Sequence, residues 1–593
     1  MSQCDFSFQT NPYTTILQLS IPRLLSLQDR NPLSTTYGCF DRPYWHFKTI
    51  TDFPNISCQQ SMLVLAQIYK YPFSGNIYFG KKKILENIIA GLTFWAKSQH
   101  KDGSVDEFFP YDRSFCAIAF TTYAAAESLS LIKDEIELSC FEELQKKVHS
   151  SCNWILKHDN KEVTNQILAA SVALLKSFFL TQDHRYLVGS QEKLKRALSQ
   201  QNEEGWFYEY NGADIGYLSI SIDLLVHHYK FSADEKVKQA ALRAIGFLKH
   251  FIFPHGSAGG EYGSRNTQYI MPSGLEFFSN YSDEAQYILH YLYRGFQKGQ
   301  TLSPLSSDDR YFCFFYIPSY VSALYLFKPK NYTHRPLSDG MTLFKRAGLV
   351  HYKNQDMHVV IGASKNGVIK ISNQDKTVYS EVGFFCTLKN GHLVASQFLN
   401  TQNSFSVSEI NQDIIIKIQG QFIRVYNKIP MRKYLLPFRI FNYVFLRFKL
   451  FHQLFDLFFR KKMIMKKTKT KIYFNKKIRL NSEGIEIEDE ITGSYLRKIQ
   501  KMYLLSHGTA MYNTTSSCFQ NCEIDDSHLH QEIDLDCLQN NKQIRLSRKI
   551  IFKQLDNPSV MRGRQGRSEK GDAGVLFCTS RSLTSENEVF PHN

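Results

Sequence analysis

Along the first half of the chain, apolar residues recur at helical spacing in runs that break at turns roughly every 50 residues. The clearest copy runs from Phe94, Trp95 and Gln99 through Asp102, Gly103 and Ser104 to Glu107. Weaker copies follow at Trp154 and Glu162, at Gln200, Gln201, Gly205, Trp206 and Glu209, and at Phe247, His250, Gly260 and Glu261. Most lead into a further apolar run, beginning near Ser114, Ile167 and Tyr217. A repeat of this length, with a turn between two helices, predicts stacked helical hairpins, because a single hairpin cannot bury its apolar face alone. Ala117, Ala119, Ala124, Ala125 and Ala126 crowd one helix of a pair, which suits an inner position where backbones approach closely. Residues 58–328 hold the pairs and predict an α/α toroid, closed or incomplete, with an open solenoid as the alternative. Turns gathered at one rim would put Glu107, Glu209 and Glu261 around one mouth.

From Leu349 the pattern changes to short alternating runs rich in β-branched residues, such as those at Val359, Ile369, Ile414 and Ile485, bounded by Asn, Gly or Asp. Residues 349–556 therefore predict an antiparallel β-sandwich, and the whole chain an α+β multidomain protein. Residues 1–57 read as a lead segment and 329–348 as a linker. Residues 557–593, rich in Arg, Gly, Ser and Glu, are expected to be disordered.

Composition adds bounds. A chain of 593 residues that is 43% hydrophobic has material for more than one core. The twelve cysteines show no recurring spacing, and Cys518 with Cys522 lacks a second pair, so neither zinc nor any other metal or cofactor is expected. The start lacks a basic stretch followed by an apolar core, which predicts a cytoplasmic location, with the inner membrane as a peripheral site. Residues 428–479 carry sixteen Lys and Arg against the single acid Asp456, interleaved with Phe and Leu. This basic aromatic insertion is either a surface for anionic lipid or a solvated excursion that packs on itself; nucleic acid is not expected, since no recognition motif accompanies the charge.

Two clusters carry candidate chemistry. Asp41, Arg42, Trp45 and His46 combine charge with aromatic faces that suit stacking on sugar rings; alternatively, Asp41 pairs with Arg42 and Trp45 plugs the helical domain. Asp112, Arg113, Asp214 and Tyr217 stand at repeat positions that either face the mouth or cap the next helix.

The run Asp102, Gly103, Ser104, Glu107, Tyr111, Asp112 and Arg113, with Gly260, Glu261, Tyr262, Gly263, Arg265 and Asn266, resembles the heparinase II/III-like and alginate-lyase-like proteins of bacterial polysaccharide gene clusters. The resemblance extends from about Tyr37 to Ser506 and implies cleavage of a uronate-containing glycan by β-elimination. It implies catalytic roles for Arg265 as the cation, Asn266 as the carboxylate's hydrogen-bond partner, Tyr269 in proton transfer and His255 as a base. Substrate binding would fall to Asp41, Arg42, Trp45, His46, Glu107, Arg113, Asp214, Tyr217 and Glu261. The sequence departs from these lyases in lacking an Asn-His element in the helical half, and His351, His358 and His507 compete for the histidine expected from the sheet half. The implied partner is an anionic polysaccharide or oligosaccharide. Alternatives are a non-catalytic protein of bacterial surface or exopolysaccharide biosynthesis, a glycoside hydrolase using Glu107 and Glu261, and a terpenoid-cyclase-like toroid, whose Gln-Trp repeats the runs at Gln99 and Gln200 are similar to.

Overall fold

A computed structural model describes residues 7–8, 10–49, 51–331, 337–355, 357–399, 404–411, 413–425, 431–448, 451–452, 454–455, 468–508, 530–535, 543–552 and 575–578. The helical domain holds α1 (Tyr13–Leu27), α2 (Arg42–Trp45), α3 (Ser61–Lys70), α4 (Lys82–Lys97), α5 (Phe115–Ile132), α6 (Leu138–Lys157), α7 (Thr164–Thr181) and α8 (His184–Ser199). It continues with α9 (Ile215–Ser232), α10 (Glu235–Leu248), α11 (Ser273–Phe278), α12 (Asp283–Lys298), α13 (Asp309–Tyr311) and α14 (Ile317–Leu326). Helices α3, α5, α7, α9, α11 and α14 pack one on the next in that order, and α14 returns to α3. Each has an outer partner: α4, α6, α8, α10, α12 and, for α14, the first helix α1. Asn11 donates to the carbonyl of Leu324 at 2.9 Å, and Tyr13 donates to Glu276 at 2.6 Å, so the start of the chain closes the circuit. The helical domain thus begins at Tyr13, within the segment the sequence assigns to a lead.

Burial separates inner from outer helices. The alanines of α5 have no exposed surface, which lets α5 lie between α3 and α7 with apolar contact all round. In α6, by contrast, Leu144, Val148, Ser151, Cys152 and Ile155 form one buried stripe at helical spacing.

The repeating turn has a steric reason. Gly103 (φ 88°) and Gly205 (φ 103°) adopt left-handed backbone, and a Cβ on either would overlap the carbonyl oxygen of Ser150 in α6 or Arg243 in α10. The turn glycine is thus pressed against the next outer helix, and Gly38 meets Ala90 of α4 in the same way. A glutamine beside each turn reaches a carbonyl of that same helix: Gln28 to Asn87 at 2.8 Å, Gln99 to Lys147 at 3.3 Å and Gln201 to Ala240 at 2.8 Å. The copy at Trp154 lacks the glycine; there Lys193 of α8 donates to the carbonyl of His158 at 2.9 Å and pairs with Asp159 at 3.1 Å.

The second domain has two antiparallel sheets. Strands Gly340–Phe344, Leu349–Asn354, Met357–Gly362, Val368–Ser372 and Thr377–Glu381 form a five-stranded meander. The other strands between Gly383 and Cys578 make a ten-stranded sheet. Val359, Ile361, Ile369 and Ile371 of the first share a core with Ile416, Ile418, Ile478 and Ile487 of the second. The five-stranded sheet therefore starts inside the expected linker, and Val575–Cys578 of the expected disordered tail pairs with Ser547–Ile550. The rest of 557–593, like Cys518 and Cys522, lies outside the described residues.

The basic stretch does not form one surface. Strand Lys469–Leu480 alternates strictly between exposed and buried positions, so Lys476 points into the core. There Lys476 and Arg548 both pair with Glu381 and Asp489, and all four are at most 2% exposed. Two cations matched by two carboxylates make this buried group neutral overall, and the cations hold the Glu381 carboxyl down to about 2 against the effect of burial.

At the domain interface, Glu204 accepts backbone hydrogen bonds from Arg346 (2.7 Å) and Ala347 (2.9 Å), and Phe344 packs against Phe247 and His250. His351 lies 5.1 Å from His250 and 5.6 Å from His358, ring to ring. Burial holds the His250 imidazole down to about 4 and that of His358 to about 3. Both are neutral in the folded protein and charge first in the unfolded chain.

Two outcomes are expected. Gly205→Ala, which adds a clash to a left-handed backbone, should destabilise the protein by about 2 kcal/mol or more in urea unfolding, while Gly246→Ala, whose added Cβ would meet nothing within 4 Å, should not. Stability should fall as pH drops from 7 towards 4, the window between the ordinary histidine range and the depressed values, and His250→Gln should flatten that slope in melts at successive pH values.

Candidate active site at the rim of the helical domain

The loops that precede the inner helices lie on one face and are tied to each other. Ile56 donates to the carbonyl of Asp106 (3.1 Å), Tyr210 to that of Glu162 (3.0 Å) and Ser264 to that of Ala213 (2.8 Å).

Asp214 organises one side of that face. Its carboxylate caps α9 by accepting from the backbone of Tyr217 at 3.3 Å, and it also accepts from the backbone of Arg265 at 2.8 Å and from the Thr267 hydroxyl. The Arg265 guanidinium thereby lies 4.2 Å from the centre of the Tyr210 ring. Tyr217 is 6.3 Å from Tyr210 and 6.2 Å from Tyr269, whose ring is in turn 6.4 Å from that of Tyr311. The Tyr269 ring is wholly buried and its hydroxyl has no hydrogen-bond partner among the described residues, whereas Tyr217 is 8% exposed. Burial raises the pKa of Tyr210, Tyr217 and Tyr269, and the charge of Arg265 pulls those of Tyr210 and Tyr217 back down. Asn266 follows Arg265 with a left-handed backbone (φ 62°).

On the opposite side Glu107 forms an ion pair with Arg310 and accepts from Ser114, the N-cap of α5. Arg310 precedes Tyr311 and lies 4.7 Å from the Phe108 ring centre. Glu107 and the Arg265 cluster are thus joined through Arg310 and Tyr311. Glu209, fully buried, accepts from the backbone and side-chain nitrogens of Asn165 at 2.9 and 2.8 Å. Burial raises its pKa well above the usual carboxylate range.

Other expected members lie elsewhere. The His255 ring stacks on Phe253 and accepts from or donates to Ser257 at 2.6 Å; Lys370 is a charged neighbour, and burial holds His255 down to about 3. His255 therefore belongs to the domain interface and not to the tyrosine cluster. His351 and His358 are buried beside His250, and His507 lies 4.4 Å from His530. Arg42 pairs with Asp309 at 2.6 Å and not with Asp41, which accepts from the backbone of Asn55 at 2.8 Å. Trp45 donates to the carbonyl of Leu27 at 2.9 Å, and His46 stacks on exposed Phe47. Glu261 is half-buried on a turn whose Gly260 faces Lys370. Arg113 reaches out to donate to the carbonyls of Leu446 and Arg447 at 2.7 and 2.8 Å.

Sequence reasoning missed Asn165, Tyr210, Arg310 and Tyr311. Asn165 and Tyr210 stand within the repeat, one residue into α7 and one after Glu209, and comparing copies position by position would have flagged them. Arg310 follows the last repeat and carries no periodic signal. Among the described residues no three His, Cys, Asp or Glu side chains gather in a metal-holding group.

The fold is similar to that of a Paenibacillus xanthan lyase, with a TM-score of 0.51 and 12% identity, covering 83% of this chain and 46% of that one. It is also similar to the chondroitin AC lyase of Streptomyces coelicolor A3 in complex with chondroitin sulphate, with a TM-score of 0.51 and 10% identity, covering 85% of this chain and 69% of that one. The chain thus spans less than half the length of the xanthan lyase. The likeness to these two polysaccharide lyases is one of fold. No protein-family model matches the chain, and no curated protein matches it in sequence.

Arg113 ties residues 431–448 to the rim, so Arg113→Ala should raise amide exchange in that segment at least about tenfold while leaving residues 260–270 unchanged, measured by hydrogen-exchange mass spectrometry.

Proposed function

We propose that the helical circuit is an α/α toroid, that the paired sheets are its β-sandwich, and that the protein is a polysaccharide-lyase-like enzyme acting on a uronate-containing glycan at the Arg265 cluster. The observation that carries this reading is a cation and several phenols converging on one rim of a lyase-like fold. A uronate carboxylate set against Arg265, with Asn266 beside it, loses much of its charge, and the proton on the adjacent ring carbon becomes more acidic. Tyr217, the less buried of the two central phenols, takes that proton as phenolate. The electron pair left behind forms the ring double bond, the bond to the glycosidic oxygen breaks, and that oxygen takes the proton from the newly formed Tyr217 phenol, which returns the base to phenolate. Arg265 favours the phenolate that burial opposes, so cation and base act together. Glu107, held by Arg310, and the exposed Phe108 border the sugar-binding side.

A second reading is a non-catalytic glycan-binding role in bacterial surface polysaccharide biosynthesis. It is favoured by the engagement of the Asn165 amide with Glu209 and by the position of His255 outside the cluster.

Incubation with acidic glycans should produce the ultraviolet absorbance of an unsaturated uronate, at a rate that rises with pH above neutrality as phenolate accumulates. Arg265→Ala and Tyr217→Phe should each lower turnover at least about 100-fold with an unchanged melt. Reducing ends without absorbance would replace elimination by hydrolysis, and silence on every glycan would leave the second reading.

A further inference from the structure

We propose that the described residues between 431 and 455 form an interfacial element that docks the protein on an anionic lipid bilayer. The segment opens with α15 (Met431–Phe441), continues through a wide turn, Asn442–Leu446, and has two faces. One is fastened to the helical domain: Arg113 holds the carbonyls of Leu446 and Arg447, Arg439 pairs with Asp52 at 3.1 Å, His452 bonds the carbonyl of Asp112 at 2.8 Å, and Phe109 packs edge-on against Phe438. The other face is apolar and open, with Leu435 48%, Leu436 71%, Ile440 55%, Val444 47%, Phe448 54% and Leu454 57% exposed. Large apolar side chains gathered on one exposed face mark a surface that is covered in use.

Charge selects the cover. Between 431 and 455 the chain carries Arg432, Lys433, Arg439, Arg447 and Lys449 and no acid. Exposed apolar side chains on a segment whose sequence carries cations and no acid match the boundary between acyl chains and anionic headgroups, where apolar groups enter hydrocarbon and cations meet phosphate. A second copy of the segment would bring like charge to like charge with no acid within it to offset them. The element lies along the membrane and does not cross it. Its eleven helical and five turn residues reach about 24 Å at 1.5 Å per residue, short of the ~30 Å hydrocarbon core, and Pro437 and Arg439 interrupt them.

This narrows the basic stretch seen in the sequence, since Lys476, Lys477 and Arg479 belong to a strand and pair with acids of the sheet domain. The rim loop bearing Glu107 stands directly behind the docking face through Arg113. A glycan bound there would be one presented at the membrane surface; that consequence rests on the glycan reading, and the docking itself does not.

The test is flotation of the full-length protein with phosphatidylcholine vesicles, with and without about one third phosphatidylglycerol. The protein should float with the anionic vesicles and stay behind with the neutral ones. The double variant Leu436→Glu, Ile440→Glu and the separate variant Arg447→Glu, both on exposed side chains, should each lower the floated fraction at least about fivefold with an unchanged melt. Failure to float with anionic vesicles, or flotation that neither variant reduces, would overturn the proposal. Conversion of a dimer to a monomer by the double variant without vesicle binding would overturn it in favour of self-association.

Discussion

The architecture depends on a backbone contact: a turn glycine pressed against the carbonyl of the next outer helix. At Gly38, Gly103 and Gly205 any side chain would collide with that helix, and a nearby glutamine satisfies a carbonyl beside the contact. The contact fixes where each hairpin meets its successor. Because it recurs at the same end of every pair where it occurs, it also fixes the loops that follow it onto one face. The rim is therefore a product of packing between hairpins.

On that rim the polar side chains do two kinds of work. Asp106, Asp112 and Asp214 spend their oxygens on backbone nitrogens of their own or adjacent loops, which shapes the loops. Arg265, Tyr210, Tyr217 and Tyr269 are then held close together without being consumed by hydrogen bonds to one another, in surroundings dry enough to strengthen any charge placed there. Asp214 is the link between the two kinds, since one carboxylate caps α9 and sets the backbone of Arg265.

The helical repeat was legible in sequence because glycine and its flanking residues are demanded by a contact that repeats. The copy at Gln28 and Gly38 was not, because its turn is longer than those at Gln99 and Gln201, and so the closing role of α1 went unseen. Arg265 and Tyr269 stand close together in sequence after a glycine turn, and Tyr269 lies 6.2 Å from Tyr217, whose sequence position alone left open whether it faced the mouth or capped a helix. His255 was misplaced because a loop position does not say which way a ring turns, and this one turns towards the sheet domain, where Lys370 is its charged neighbour. Arg310 and Tyr311 were illegible because they meet Glu107 and Tyr269 across the circuit, over separations that no local pattern records. Counting charge along 428–479 failed for a related reason: a strand sends alternate side chains to opposite faces, so Lys476 is a core residue while its neighbours are not.

The central claim is that an acidic glycan binds where the loops of 205–217 and 260–270 meet. Hydrogen-exchange mass spectrometry with a size-defined uronate oligosaccharide measures this without requiring turnover. The account predicts protection of both loops together, with the five-stranded sheet unchanged. Protection confined to the sheet domain, or none at saturating oligosaccharide, would contradict it.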